Sequence, residues 1–107
     1  MSNKKKKVYI VNHSGHDFAP AEKFGELVFL SDGSINKFEV NDMYRQMLPL
    51  LRESDPEDFI LPTSLPILSI VAIGIFISLH NRMNVLLYDA AKSKYVSRTI
   101  VFEDRRE

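Results

Sequence analysis

The chain contains no cysteine, which excludes a disulfide framework and any thiolate metal site and fits a reducing compartment, so a cytoplasmic protein is expected. It also lacks a net charge, since 14 lysines and arginines offset 14 aspartates and glutamates. The balance is uneven along the chain. Lys4–Lys7 supply four of the basic residues, so the body from Val8 onward is mildly acidic. A duplex-binding surface needs clustered cations to displace counterions from phosphates. The only dense cluster is this basic start, read as a flexible solubilising tail over residues 1–7. No duplex nucleic acid is therefore expected as a partner. Catalytic signatures are missing too: no G-x-x-x-x-G-K-[ST] phosphate loop, no G-x-S-x-G elbow, no H-E-x-x-H and no G-x-G-x-x-G. No cofactor is expected, and apart from the lysines there is neither a repeat nor a low-complexity tract.

What is present is an ordinary globular composition, 45% apolar and 26% charged over 107 residues, enough for one core. A single domain is expected over residues 8–103, with a frayed end at 104–107. The nearly charge-free run Phe59–Leu79 has about the length of a bilayer span. Pro62 and Pro66 interrupt its first third, however, and leave too short a continuous helix to cross. It reads as a buried strand followed by a buried helix, with no membrane partner. The N-terminus has the basic start of a signal peptide but too few apolar residues after it.

Val8–Val11 is a short β-branched apolar run of the kind found in a strand covered on both faces. Pro20–Gly25 suggests a helix of one or two turns, and Leu27–Leu30 a second strand stopped by Ser31, Asp32 and Gly33. Asn41 is placed to cap a helix whose stripe is Met43, Tyr44, Met47, Leu48 and Leu51, with Pro49 expected to bend or break it. Phe59–Leu61 is a third strand. Ser64 is a natural cap for a helix from Leu65 to about His80 that is apolar nearly all round, with His80 as its C-terminal cap. One face of that helix meets the sheet; the other meets either a second copy, Gly74 and Ser78 permitting close approach, or the Pro49 helix of the same chain. Asn84–Asp89 and Tyr95–Phe102 form a fourth and fifth strand around a tight turn. This alternation predicts a small Rossmann-like α/β domain of three layers: a mostly parallel sheet of about five strands with an antiparallel C-terminal edge hairpin.

In such a sheet the ligand crevice lies beyond the carboxyl ends of the strands. Three loops fall there: "NHSGHD", "SDGS" and "PTSLP". They nominate Asn12, Ser14, Gly15, Asp32, Thr63 and Ser64 for ligand binding. Thr63 and Ser64 offer hydroxyls beside the unpaired amides of a helix start, which is a seat for an anion as well as an ordinary cap. Gly15 fits either a turn with positive φ or a close approach to a ligand. Asp32 stands where dinucleotide enzymes hold a ribose, yet without the glycine fingerprint it is also a turn residue. His13 and His16 admit three roles: metal ligands with Asp17 and Asp89 or His80, catalytic acid and base, or binding and structural groups. The metal role is the weakest, because the spacing assembles no full ligand set, and no metal is expected.

"VYIVNHSGH" after one strand and "FILPTSLP" before an apolar helix resemble the small single-domain members of the CARF-like group. Those are Rossmann-like proteins that bind, and sometimes cleave, cyclic oligoadenylates across a homodimer. The resemblance implies that Ser14, His16, Thr63 and Ser64 face a ring of phosphates at a two-fold axis, and that the Leu65–Leu79 helix helps to build the dimer. The functional expectation is a homodimeric binding domain for a nucleotide-like or phosphorylated ligand, with metal-independent phosphodiester cleavage, through His13 and His16, as an extension. The alternative is a non-catalytic interaction or assembly module, such as a mobile-element accessory protein.

Overall fold

The computed structural model describes residues 5–13, 15–33, 36–63 and 65–102. Lys4 of the basic tail, Ser14, Ser64 and the C-terminal residues expected to fray thus lie outside the described residues. The strands are β1 (Lys7–Ile10), β2 (Glu26–Phe29), β3 (Phe59–Leu61), β4 (Arg82–Asp89) and β5 (Lys94–Val101). They form one sheet in the order β2-β1-β3-β4-β5, parallel except for the antiparallel β4–β5 edge. This is the expected small Rossmann-like α/β domain.

Short apolar runs became strands because they alternate between two cores. Tyr9, Val11, Ile60 and Val85 point to one face, under helices α1 (Val40–Leu51) and α2 (Pro66–His80). Val8, Ile10, Leu61 and Leu86 point to the other, which is covered by Phe18 and by Ala21 of a 3₁₀ turn at Ala19–Lys23. The third layer is therefore thin, a turn rather than a full helix. Gly25 ends that turn where a Cβ would stand 2.5 Å from the Lys6 carbonyl oxygen. Only glycine lets the Glu26 N–H reach the same carbonyl, at 2.9 Å, and start the β1–β2 pairing.

β1 begins at Lys7, one residue before the apolar run, because the Lys7 N–H donates to Asp58 Oδ1 at 2.9 Å. The second carboxylate oxygen accepts the Asp55 N–H at 2.8 Å. Asp58, fully buried, thus ties the start of β1 to the turn before β3. Above it lies the buried Tyr9 hydroxyl, which has no hydrogen-bond partner among the described residues. Burial, then the charges of Asp58 and Asp55, push its ionisation well above the ordinary tyrosine range. An unsatisfied buried donor costs about 1–3 kcal/mol, so Tyr9→Phe is expected to stabilise the fold by about 1 kcal/mol. Urea unfolding checks this; a lowered midpoint would mean that the hydroxyl is bonded.

Helix α1 starts at Val40 with Glu39 in the capping position and no side-chain cap, so Asn41 is not the cap expected from sequence. Pro49 does not divide it. The proline sits in the last turn, where its missing N–H costs a single bond, and the Arg52 N–H still closes on Leu48 O at 2.9 Å. Met43, Met47 and Leu51 form its buried stripe. Helix α2 starts at Pro66 with Leu65 in the capping position, again without a side-chain cap. It ends on Asn81 in the left-handed region, φ 58°, whose N–H donates to Ile77 O at 2.8 Å. His80 is therefore not the cap. Its ring folds inward, 4.6 Å from the Phe76 ring centre, with Nε2 2.8 Å from Ser54 Oγ. Because the Ser54 hydroxyl donates to Leu51 O, the imidazole donates to Ser54 and joins the ends of α1 and α2.

Of the two alternatives for covering α2, the Pro49 helix of the same chain is seen to cover part of it. α1 packs along one flank of α2, and Leu68, Ala72 and Phe76 face the sheet. The outermost line stays uncovered in the single chain: Ile70 is 63% exposed, and Gly74 faces open space.

Candidate functional site

β3 pairs with β4 only at Phe59↔Asn84 and Ile60↔Val85, whereas β4 pairs with β5 as far as Asp89↔Lys94. Leu87, Tyr88 and Asp89 consequently run about 10 Å past the parallel strands, at roughly 3.3 Å per residue, and form a wall. Facing it is the loop after β1. There the Asp17 carboxylate accepts the Ala19 N–H at 3.0 Å and opens the 3₁₀ turn, driving Phe18 inward. Between wall and loop lies a cleft of about 560 Å³, lined among others by His16, Asp17, Phe18, Thr63, Tyr88 and Tyr95. It sits beyond the carboxyl ends of β1, β3 and β4, beside the point where strand order reverses, as the fold dictates.

Tyr88 and Tyr95 are direct partners across the hairpin, their rings edge to face at 5.1 Å. Burial first, then Tyr88 and the Asp17 carboxylate, hold the Tyr95 hydroxyl proton more firmly than usual. Thr63 lines the cleft, but its N–H donates to Ser69 Oγ at 3.0 Å. That amide is thus spent within the chain, and the expected anion seat is reduced by one donor.

The nominated residues divide into two groups. His16 and Thr63 meet in the cleft. Asn12, His13 and Asp32 lie in a separate clasp that prolongs the β1–β2 pairing. There the His13 N–H donates to Ser31 O at 2.9 Å and the Gly33 N–H to His13 O at 3.1 Å. Asn12 is buried, its Nδ2 donating to Gly33 O at 3.2 Å and its Oδ1 2.8 Å from Ser31 Oγ. The His13 ring lies on Phe29 at 4.3 Å, with Nδ1 3.7 Å from Asp32 Oδ1. Gly15, φ 79° with nothing near its missing Cβ, turns the chain between the two histidines. Asp32 accordingly completes a turn and the His13 contact. Among the described residues no group of three or more histidine and acidic side chains gathers that is able to hold a metal ion.

Phe18, Tyr88 and Tyr95 escaped sequence reasoning as site residues. Tyr88 and Tyr95 become legible once the hairpin is registered, since they stand symmetrically about its turn and share one face.

No helix among the described residues is long and apolar enough to cross a membrane. Comparison with curated proteins and with solved structures finds no match. A family match does exist, to the phage Pam3 gp32-like proteins over residues 6–101. It overturns the resemblance to the CARF-like group and with it the roles that group implied for Ser14, His16, Thr63 and Ser64 around a ring of phosphates. Polar loops after two neighbouring parallel strands are what any sheet of this order presents at its carboxyl end, so two short strings at those places do not distinguish one family from another. On a match that runs from the residue before β1 to the last residue of β5, the chain belongs to the phage Pam3 gp32-like protein family.

Proposed function

We propose that this chain is a binding domain for a small organic ligand of about nucleoside size, held in the cleft between the β1 loop and the β4–β5 wall. The observation that carries this reading is the cleft itself. At about 560 Å³ it falls within the range of small-molecule sites, roughly 300–1,000 Å³, and it combines aromatic walls with the hydrogen-bonding groups of His16, Asp17 and Thr63. Among the described residues no lysine or arginine lines it, so a nucleotide would enter by its ring-bearing end rather than by its phosphates. We favour binding over phosphodiester cleavage because only one of the two histidines nominated as acid and base lines the cleft. With no cysteine calling for an oxidising compartment, we place the protein in the cytoplasm.

A thermal-shift panel of nucleosides, nucleotides, amines and sugar phosphates tests the proposal. A ligand at a hundred times its Kd stabilises by about 2.7 kcal/mol, which raises Tm on the order of 10 °C. Thr63→Val and Tyr95→Leu are expected to remove most of that shift while the unliganded Tm moves little. A panel without any shift would overturn the reading.

A second reading, self-association through α2, rests on the exposed line of Ile70 and Gly74 on a helix without a single charged residue. Sedimentation at micromolar concentration is expected to give a dimer, and Ile70→Asp a monomer with parental Tm. A monomeric parent at high micromolar concentration would leave that face without a second copy.

A further inference from the structure

Resting on the reading of the cleft as a ligand site, we infer that the group it takes is an organic cation, an alkylammonium or guanidinium held against Asp17 between the aromatic rings of Phe18, Tyr88 and Tyr95. Three independent features of the lining lead there.

The first is an uncommitted carboxylate. Asp17 accepts one neutral N–H, from Ala19, and no cation of the described residues pairs with it. The second is that the cations nearest in sequence are directed elsewhere. Tyr95, on β5, lines the cleft, and side chains along a strand alternate between faces. Lys94 and Arg98 therefore lie on the opposite face, Lys94 in register with Asp89. Lys23 of the 3₁₀ turn sits over the Phe24 ring at 5.5 Å. None of the basic side chains among the described residues lines the cleft.

The third is the rings. An aromatic face carries negative potential, so several rings around one cavity attract a positive group that has shed part of its water. A phosphate entering here would meet the Asp17 charge with no counterion. A cation finds its counterion and its cage in one place.

The test uses two probes of nearly equal shape and opposite in this one property: choline and its uncharged carbon isostere 3,3-dimethylbutan-1-ol. Each is titrated into the full chain while backbone and ring resonances are followed by NMR. Choline is expected to bind about tenfold tighter than the alcohol, with shifts at Thr63, Tyr88 and Tyr95, the order of magnitude of a desolvated cation–π site. Asp17→Asn keeps an acceptor for the Ala19 N–H and removes only the charge. It is expected to weaken choline several-fold and leave the alcohol unchanged. Equal affinities for the two probes, or an Asp17→Asn variant that weakens both alike, would overturn the charge assignment while the cleft remains a ligand site. Absence of shifts at Thr63, Tyr88 and Tyr95 with either probe would overturn the ligand site and the inference together.

Discussion

Asp58→Ala is expected to lower the unfolding free energy by about 3–5 kcal/mol, read as a shift of the urea midpoint at unchanged slope. The carboxylate is 1% exposed and accepts two main-chain N–H bonds from segments far apart in sequence, Lys7 at the start of β1 and Asp55 before β3. Hydrogen bonds to a charged acceptor contribute about 1.5–3 kcal/mol each, and truncation leaves both donors without a partner. Asp58→Asn separates charge from geometry. It restores one acceptor but sets an NH₂ group against the other main-chain N–H, so more than half of the loss should persist. A cost below about 1 kcal/mol for Asp58→Ala would show that water replaces the carboxylate, which its burial opposes.

Phe76→Ala should cost a similar amount, about 3–5 kcal/mol, because the ring is fully buried between α2 and the sheet and its removal leaves a cavity. This variant has a second signature. The Phe76 ring covers His80, whose pKa is lowered from the ordinary 6.5, first by burial, with Asp55 and Asp58 acting in the opposite sense. A base held neutral in the folded chain contributes stability that is complete above the unfolded pKa of 6.5. That contribution is lost as pH falls through the window from 6.5 down to the lower folded value. The parent should therefore lose stability between pH 7 and 5 more steeply than His80→Phe, which cannot take the proton. Phe76→Ala, by opening the site to water, should fall between them. Equal slopes in all three would remove His80 from the account.

Much of the architecture was legible because a buried strand leaves a plain trace. Val8–Val11 and Phe59–Leu61 are uninterrupted apolar runs bounded by polar residues, and both lie at the centre of the sheet. The hairpin was equally plain. Helix starts were not, since both helices begin without a side-chain cap, with Glu39 and Leu65 at the capping positions and Asn41 inside the first turn. Pro49 does not break α1 for a related reason: its cost depends on how near the helix end it falls, and it falls in the last turn. The cleft was legible as a location and not as a lining. Its place follows from the carboxyl ends of parallel strands, which the alternation of elements implies, while strand order does not follow from that alternation. Its walls depend on register, on how far β4 outruns β3, and on which way a positive-φ glycine turns the chain. None of these is written in any single residue, so two histidines three apart in sequence read as a pair, although only His16 lines the cleft while His13 lies on Phe29.

The projecting β4–β5 arm also governs how this architecture can diversify. Tyr95 packs against the core under Phe18, but the rung beyond it, Asp89 with Lys94, belongs to neither apolar core, so changes at the turn leave the central strands alone while altering the depth of the binding cavity. Parity restricts the available steps. Adding one residue to each arm would swap Tyr88 and Tyr95 to the reverse side, whereas adding two per arm would return aromatic side chains to the cavity side one rung higher. Chains built on this plan can therefore rescale what they hold in increments of one rung pair, provided a side chain still covers the core face that Tyr95 covers here.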